Sequence, residues 1–496
     1  MRVRVSAGDK QGIRGVLVLL HDAATPLFPS SHQVPANARG LTKRFRDSKG
    51  ETDLYAFSGD DSSVVLFLST AQIKYGGRDE KLKTLASRAL AFAQKHKLHN
   101  VTVPLAQMEL AGILAEGFLV SSYTFEKYKS KPKSASPEIT VTLQVPSAAL
   151  AEVKAAVRRA EIVSDAMAFA RDLVNEPAEA IYPATLAMAA KRMAKQVGLS
   201  IDVLDEKALT RGNYGGIVGV GKGSDRPPRL IVLRYKPQLK SNVHLALVGK
   251  AVAFDTGGHS IKPAANLWEM KGDMAGGAAV LGAMKAIAQL KPAVRITAIV
   301  PSVINAIDSL AILPGDIIRS RSGKTVHIDN TDAEGRLILM DALDLAQDEG
   351  ATHVVDVATL TGSVVRALGV AVTGIFGTDQ ELVDSIRDAG ARVGENYWQM
   401  PLIDEYRAQL DHPIADMDNV GKGPNGGSIT AALFLKEFVR PKTRWAHLDI
   451  AGTSMTDKAW KYFSPGATAV GVRTFVELAE SLAEPSNVKR KKGKLG

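Results

Sequence analysis

The 496-residue chain contains no cysteine. Disulfides, thiolate zinc sites, iron–sulfur clusters and cysteine nucleophiles are therefore excluded together. Long apolar runs are missing too, and no segment approaches the roughly 20 residues that a membrane-spanning helix requires. The run Gly15–Leu20, behind a charged Met1-Arg-Val-Arg4 start, is too short for a signal-peptide core. The expectation is a cytoplasmic protein with no membrane partner. Neither a Gly-x-Ser-x-Gly serine elbow nor a His-Glu-x-x-His zinc helix occurs. Residues Gly216–Lys222 begin like a phosphate loop, but Gly223 stands where Ser or Thr must hold magnesium. That stretch reads as a glycine-rich turn before a strand.

What is present is the balance of a folded globular protein, with 45% hydrophobic and 23% charged residues. The length calls for two domains. Of the net charge of +10, five positive charges sit in a tail at Lys489, Arg490, Lys491, Lys492 and Lys494. Such a run can hold nucleic acid through phosphate contacts. More often it is a solvated end, so DNA binding is the less favoured reading.

Apolar runs such as Val64–Leu68 alternate with helical stretches such as Leu82–Lys97 in the first 125 residues, which suggests a small α/β domain. A basic, proline-punctuated stretch at 127–137 marks its exit. A long helical pattern from about Ser147 to Asn175 reads as a connector. Beyond it, strand-like runs at Leu230–Tyr235, His244–Phe254, Ile296–Val303, His353–Thr359 and Val370–Phe376 alternate with helical stretches, notably Ala275–Leu290 and Leu337–Gln347. The expected class is α/β, with a larger C-terminal domain whose central mixed sheet carries helices on both faces. The expected boundaries are 1–146, a connecting helix 147–175, a main domain 176–485 and a tail 486–496. No internal repeat is found. Ligands of such sheets gather at the carboxyl ends of the strands.

Two clusters lie at such ends. In Lys250-Ala-Val-Ala-Phe-Asp255-Thr-Gly-Gly258, Lys250 and Asp255 are five apart and converge only if the strand bends or ends between them. Asp273 follows, just ahead of a helical stretch, where an acid by itself reads as a helix cap. The second cluster, Asn330-Thr-Asp332-Ala-Glu334-Gly-Arg336-Leu337, also runs straight into a helix and admits the same capping reading. What strains that reading is the accumulation: a lysine in an apolar strand, Asp-Thr-Gly-Gly, Lys-Gly-Asp and Asp-Ala-Glu-Gly-Arg all stand at element boundaries of one domain.

Taken together these residues resemble the leucine aminopeptidase (M17) family. Supporting matches are Asp172-Leu-Val-Asn-Glu-Pro177, Ala358-Thr-Leu-Thr-Gly362 and Asp449-Ile-Ala-Gly-Thr453. The likeness is close from about Asp172 to Glu477 and weak before it. It departs from the family at Ala251, Ala253, Ile304 and Met340, none of which replaces a ligand or catalytic group.

The resemblance implies a hexameric hydrolase that releases N-terminal residues, leucine foremost, from peptides. One divalent metal would be held by Asp255, Asp332 and Glu334, and a second by Lys250, Asp255, Asp273 and Glu334. Four carboxylates balance two dications if Lys250 is neutral. Without cysteine or histidine ligands, manganese, zinc, cobalt and magnesium all suit the site. Lys262 would stabilise the oxyanion and Arg336 would anchor a bicarbonate. His259 reads as structural. Met270, Thr359, Gly362, Ala451 and Met455 would surround the substrate's first side chain. Two other classes compete: a DNA-binding protein, on the strength of the tail, and a carboxylate-rich two-metal phosphotransfer enzyme.

Overall fold

A computed structural model describes residues 1–7, 15–23, 25–30, 38–47, 54–57, 63–131, 138–239 and 241–483. The basic tail, with the DNA-binding reading it prompted, and residues 132–137 of the basic stretch lie outside these. The chain forms two compact units, Met1–Ala168 with Asp457–Pro465, and Phe169–Thr456 with the chain from Gly466. Among the described residues no helix is long and apolar enough to cross a membrane.

The first unit is built on a mixed sheet in the order Arg2–Ala7, Thr140–Val145, Asn100–Pro104, Gly15–Asp22, Ser63–Ser69, Leu54–Phe57. Helices Arg78–Lys95 and Leu110–Ser121 bury leucines and alanines against it. Segment Asp457–Pro465 belongs here through buried Glu80, which accepts from the Tyr462 hydroxyl at 2.9 Å and pairs with Lys461. Nothing in the sequence signalled that return of the chain.

In the second unit the strand order is Tyr397–Gln399, Thr373–Gly377, Arg444–Asp449, His353–Ala358, His244–Gly249, Arg295–Asn305, Arg229–Tyr235, Ser200–Leu204, with Ala251–Asp255 also paired to Arg295–Asn305. The four central strands are mutually parallel, so Asp449, Ala358, Gly249 and Asn305 end at one edge of the sheet. Their residues are buried on both faces, as strands sandwiched between helices must be. Glu334–Asp348 and Gly427–Lys436 cover one face, and Ala275–Leu290 packs on the sheet as well.

Three expectations need correction. Residues 215–221 form a short helix, not a turn, because Asp341 accepts from the Gly216 and Ile217 N–H groups at 2.8 and 3.0 Å and fixes its first turn. The run His244–Phe254 is two strands broken at Lys250. The strand expected at Val370–Phe376 begins only at Thr373.

Asp341 also accepts from Arg321 N–H, at 2.8 Å, so one fully buried carboxyl ties three backbone donors to helix Glu334–Asp348. Burial nevertheless pushes it up to about 7, against those donors. Unfolded, the group titrates near ~4. The stability it contributes is whole below ~pH 4 and is lost as pH climbs to ~7, roughly 4 kcal/mol in all. The wild type should therefore lose urea resistance relative to Asp341→Asn between about pH 4 and 7. A difference in urea midpoint that stays constant over that range would contradict the assignment.

Candidate active site

The site gathers where the central parallel strands end. Lys250 sits at the break between His244–Gly249 and Ala251–Asp255. Its N–H donates to the Val357 carbonyl at 3.1 Å and its carbonyl accepts from Gly277 N–H at 2.7 Å. The pairing of Ala251–Asp255 with Arg295–Asn305 shifts register between Val252 and Asp255. A shifted register re-aims side chains, and it answers the question of how residues five apart reach one place.

Past Asp255 the chain turns through Gly257 at φ 86°, where a Cβ would stand 3.0 Å from Asp332 Oδ1. Gly257 N–H donates to Asp255 Oδ1 at 2.9 Å, and Lys262 N–H closes the loop on the Thr256 carbonyl, also at 2.9 Å. The Lys262 ammonium thereby reaches Asp255 Oδ2 at 2.8 Å and pairs with Asp332 as well. His259, in the same loop, is exposed.

The capping reading fails for both acids that admitted it. Helix Ala275–Leu290 starts at Met274 without a side-chain cap, while Asp273 faces Lys250 Nζ at 2.8 Å and accepts from the Thr359 hydroxyl at 2.7 Å. Helix Glu334–Asp348 likewise starts at Ala333 without a side-chain cap. Glu334, its first residue, is buried and pairs with Lys250 at 2.8 Å. A Cβ on Gly335 would stand 2.6 Å from Lys250 Nζ, so only glycine leaves the lysine its place.

Four carboxylates and two ammonium groups thus share a largely buried space, and the acids exceed the bases by two. Burial, then the Glu334 charge, pushes Asp255 up, and burial above all drives Asp273 well up. Asp332 is pushed up to about 6 by burial and by Asp255. Burial works against the Lys250 ammonium, but Asp273, Glu334 and Asp255 outweigh it and hold the lysine protonated. Burial likewise opposes the Lys262 ammonium, and Asp255 and Glu334 outweigh it. Glu334 is held below its usual range because the two lysines overcome its burial.

Arg336 is different. It is buried, its Nη1 donates to the Asn419 carbonyl at 2.8 Å, and its Nε has no partner among the described residues. Burial lowers it to about 10, with only partial relief from Glu334 and Asp449. A buried guanidinium with a spare N–H is a receptor for a small anion.

Of the five residues expected around a substrate side chain, Thr359 is bound into the cluster through Asp273 and through its carbonyl, which accepts from Lys250 Nζ at 3.0 Å. A Cβ on Gly272 would stand 2.5 Å from Met455 Sδ, which places Met455 against the turn that carries Met270. Gly362 opens helix Gly362–Leu368, and Ala451 N–H points at Asp449, whose carboxylate also receives Leu360 N–H and the Thr361 hydroxyl. The divergent residues Ala251, Ala253, Ile304 and Met340 are all buried.

Sequence reasoning missed the residues that hold these groups in place. Asn305 Nδ2 donates to Asp255 Oδ1 at 2.8 Å and to the Thr331 carbonyl at 3.1 Å. Asn419 accepts from Asp329 and Asn330 N–H and donates to the Asn330 carbonyl. Asn305 and Asp449 each end an apolar strand with a polar residue, which was the available signal.

The donor set fits divalent cations. Carboxylate oxygens of Asp255, Asp273 and Glu334 lie within 4.8 Å of one another. Among the described residues, buried Asp273 Oδ2 and Asp332 Oδ1 accept no hydrogen bond beyond their lysine ion pairs. Each lysine ammonium stands where a harder cation would satisfy the same oxygens. Fold and donors together fit a metal-dependent enzyme of the α/β class.

Comparison with known proteins specifies it further. Residues 168–476 match the model of the cytosol aminopeptidase family, catalytic domain. A Solibacter usitatus protein named "Probable cytosol aminopeptidase" is 45% identical over 404 residues, which is 80% of this chain and 83% of the relative. A Rhodococcus erythropolis protein of the same name is 42% identical over 82% of each chain. Among solved structures, the bottromycin maturation enzyme BotP in complex with Mn superposes with a TM-score of 0.83 at 31% identity, covering 95% of this chain and all of that one. The chain belongs to the cytosol aminopeptidase family and is a metallo-aminopeptidase. Membership favours the peptidase over the phosphotransfer reading.

The Gly335 contact can be tested directly. Gly335→Ala should keep the fold by circular dichroism yet lose about 100-fold in aminopeptidase rate, since an ångström of displacement at a reacting centre costs about that much. Full activity in that variant would show that the Lys250 position is not critical.

Proposed function

We propose that the chain removes N-terminal residues, leucine and other apolar ones first, from peptides with two divalent cations per subunit. The carrying observation is the charge excess: four largely buried carboxylates face only two lysines. Asp255, Asp332 and Glu334 would hold one cation, and Lys250, Asp255, Asp273 and Glu334 the other. Manganese, zinc, cobalt and magnesium all match these donors, and BotP, in complex with Mn, lends manganese some weight. Such cations supply Lewis acidity and lower the pKa of water when bound.

The chain's own groups do the rest. Lys250 must give up its proton to act as a donor, and a dication beside it reverses the field that now keeps the ammonium charged. Lys262, paired here with Asp255 and Asp332, would keep its charge if those acids held cations and would stabilise the oxyanion that develops from the scissile carbonyl. Arg336, with its spare N–H, anchors a bicarbonate, whose chemistry when bound is to pass a proton from water to the leaving amine. No side-chain base is then required. The family resemblance also carries a homo-hexamer, peptide substrates and a cytoplasmic location.

Chelation should abolish activity, and manganese, cobalt or zinc should restore it. Lys262→Ala and Arg336→Ala should each lower kcat by about 100-fold or more while bound metal, measured by elemental analysis, stays near wild type. Loss of metal from either variant would overturn the division between ligands and catalytic groups.

Specificity follows from the pocket. Met270 and Met455 adapt to varied apolar shapes, and Gly362 and Ala451 leave volume beside them. Burying a leucine side chain there contributes roughly 1.5–3 kcal/mol, whereas a carboxylate would be desolvated without a partner. Leu-Gly should be cleaved with higher kcat/KM than Asp-Gly, and acetyl-Leu-Gly should resist, because a free amine is needed as a neutral donor. Comparable cleavage of acetyl-Leu-Gly would falsify this reading of the site.

A further inference from the structure

Outside the carboxylate cluster, the second unit holds another convergence of donors. His327 ends strand Thr325–His327 and Asp418 ends strand Met417–Asp418. The two strands are parallel partners, with His327 directly opposite Asp418, so the sheet itself presents both side chains side by side. His327 Nδ1 lies 2.7 Å from Asp418 Oδ1. His412, from the segment after the turn Asp404–Leu410, stacks on the His327 ring at 3.9 Å between centroids and 9° between planes. Its Nε2 lies 3.9 Å from the same Asp418 Oδ1. Two imidazoles on one carboxylate oxygen, with all three donor atoms within 4.8 Å of one another, are an unusual grouping for a merely solvated face.

We propose that His327, His412 and Asp418 bind a single divalent cation, zinc(II) by preference, at a site separate from the carboxylate cluster. Two imidazoles and one carboxylate suit a borderline metal better than magnesium or calcium. Zinc–donor distances of about 2.0–2.2 Å place tetrahedral donors roughly 3.3–3.6 Å apart, so the 2.7 Å His327–Asp418 pair must open and the 3.9 Å His412–Asp418 pair must close, adjustments that ring rotation provides. All three side chains are more than four-fifths buried, yet the histidines keep enough exposure for water to complete the coordination. His412 Nδ1 accepts a long, 3.3 Å bond from Ile414 N–H. Binding through Nε2 moves the ring proton to Nδ1 and releases that contact, so the exposed segment Asp411–Asp416 responds to occupancy. Lys422 opposes the cation only weakly, since its ammonium is 3.9 Å from Asp418 Oδ2 and is drawn to the Asp411 carbonyl at 2.6 Å.

The position gives the site a use. The residue after Asp418 is Asn419, which holds Asn330 with its amide and Arg336 with its carbonyl. A cation on His327 and Asp418 would fasten the strand end from which Asn419 does so.

The test counts metal on the full-length, tag-free chain. Wild type, His412→Ala and His412→Gln are stripped, saturated with manganese chloride and titrated with zinc chloride, and summed manganese and zinc per chain are measured by elemental analysis. Wild type should carry one equivalent more than either variant, and its thermal midpoint should rise further on zinc addition than theirs. The readout is the difference between chains, so it holds whether the carboxylate cluster takes two cations, one or none. Equal equivalents and equal midpoint shifts in all three would overturn the proposal and leave an ordinary histidine–carboxylate ion pair. His412→Gln keeps the comparison available if His412→Ala does not fold.

Discussion

The burial of more acid than base in one small space governs the architecture of this protein. Asp255, Asp273 and Glu334 are almost wholly removed from water, and Asp332 is partly so. A buried carboxylate is tolerable only when paired and hydrogen-bonded. Lys250 and Lys262 answer two charges of the four. The rest is met by pushing Asp255, Asp273 and Asp332 toward their neutral forms. That crowding of like charge is an electrostatic cost, which the proposed cations would relieve. Metal affinity and folding stability are then two readings of one charge balance.

Holding that balance in register is the task of the sheet edge. Strands that run parallel deliver their carboxyl ends together, and here each end carries, or is followed at once by, a polar residue with a defined partner. Asn305 orients Asp255, Asp449 gathers the N–H groups of the turn after Ala358, and the Thr359 hydroxyl fixes Asp273. Asn419 holds the loop that leads to Asp332. None of these is a metal donor in the proposed scheme, yet without them the donors would be free to turn to solvent. Groups of this supporting kind commonly matter to affinity nearly as much as the ligands do.

The fold class and the place of the two residue clusters at element boundaries were legible in the sequence because they write strong local signals, whereas the donor set came from the family resemblance. Apolar strands spaced by helices give the class, and acids packed around glycines at element boundaries mark the edge where chemistry belongs. The break at Lys250 was not legible, because a lysine inside Val-Gly-Lys-Ala-Val leaves the apolar pattern intact on either side. The short helix at 215–221 was hidden by its glycines, which intrinsic propensity counts against a helix. It forms because a distant side chain, Asp341, caps it. The return of Asp457–Pro465 to the first unit rests on Glu80, hundreds of residues away in the chain. The supporting asparagines escaped for the same reason: their importance lies in contacts of long sequence separation.

The contrast between Lys262 and Arg336 carries the argument one step further. Both are cations near the same acids, but Lys262 is fully engaged by Asp255 and Asp332, while Arg336 pairs with no carboxylate and donates to a backbone carbonyl. Glu334 is only two residues away in sequence, yet helix geometry turns the two side chains apart, since residues at i and i+2 do not face one another. The guanidinium therefore sits where burial opposes its charge and Glu334 and Asp449 relieve it only in part. The bicarbonate proposed for this place would complete the pocket. An excess of negative charge at one end of the site and a partly compensated positive charge beside it are complementary demands, one for metal and one for a small anion. Two dications alone, with Lys250 neutral, would carry the group past neutrality, and a small anion on Arg336 would offset part of that excess.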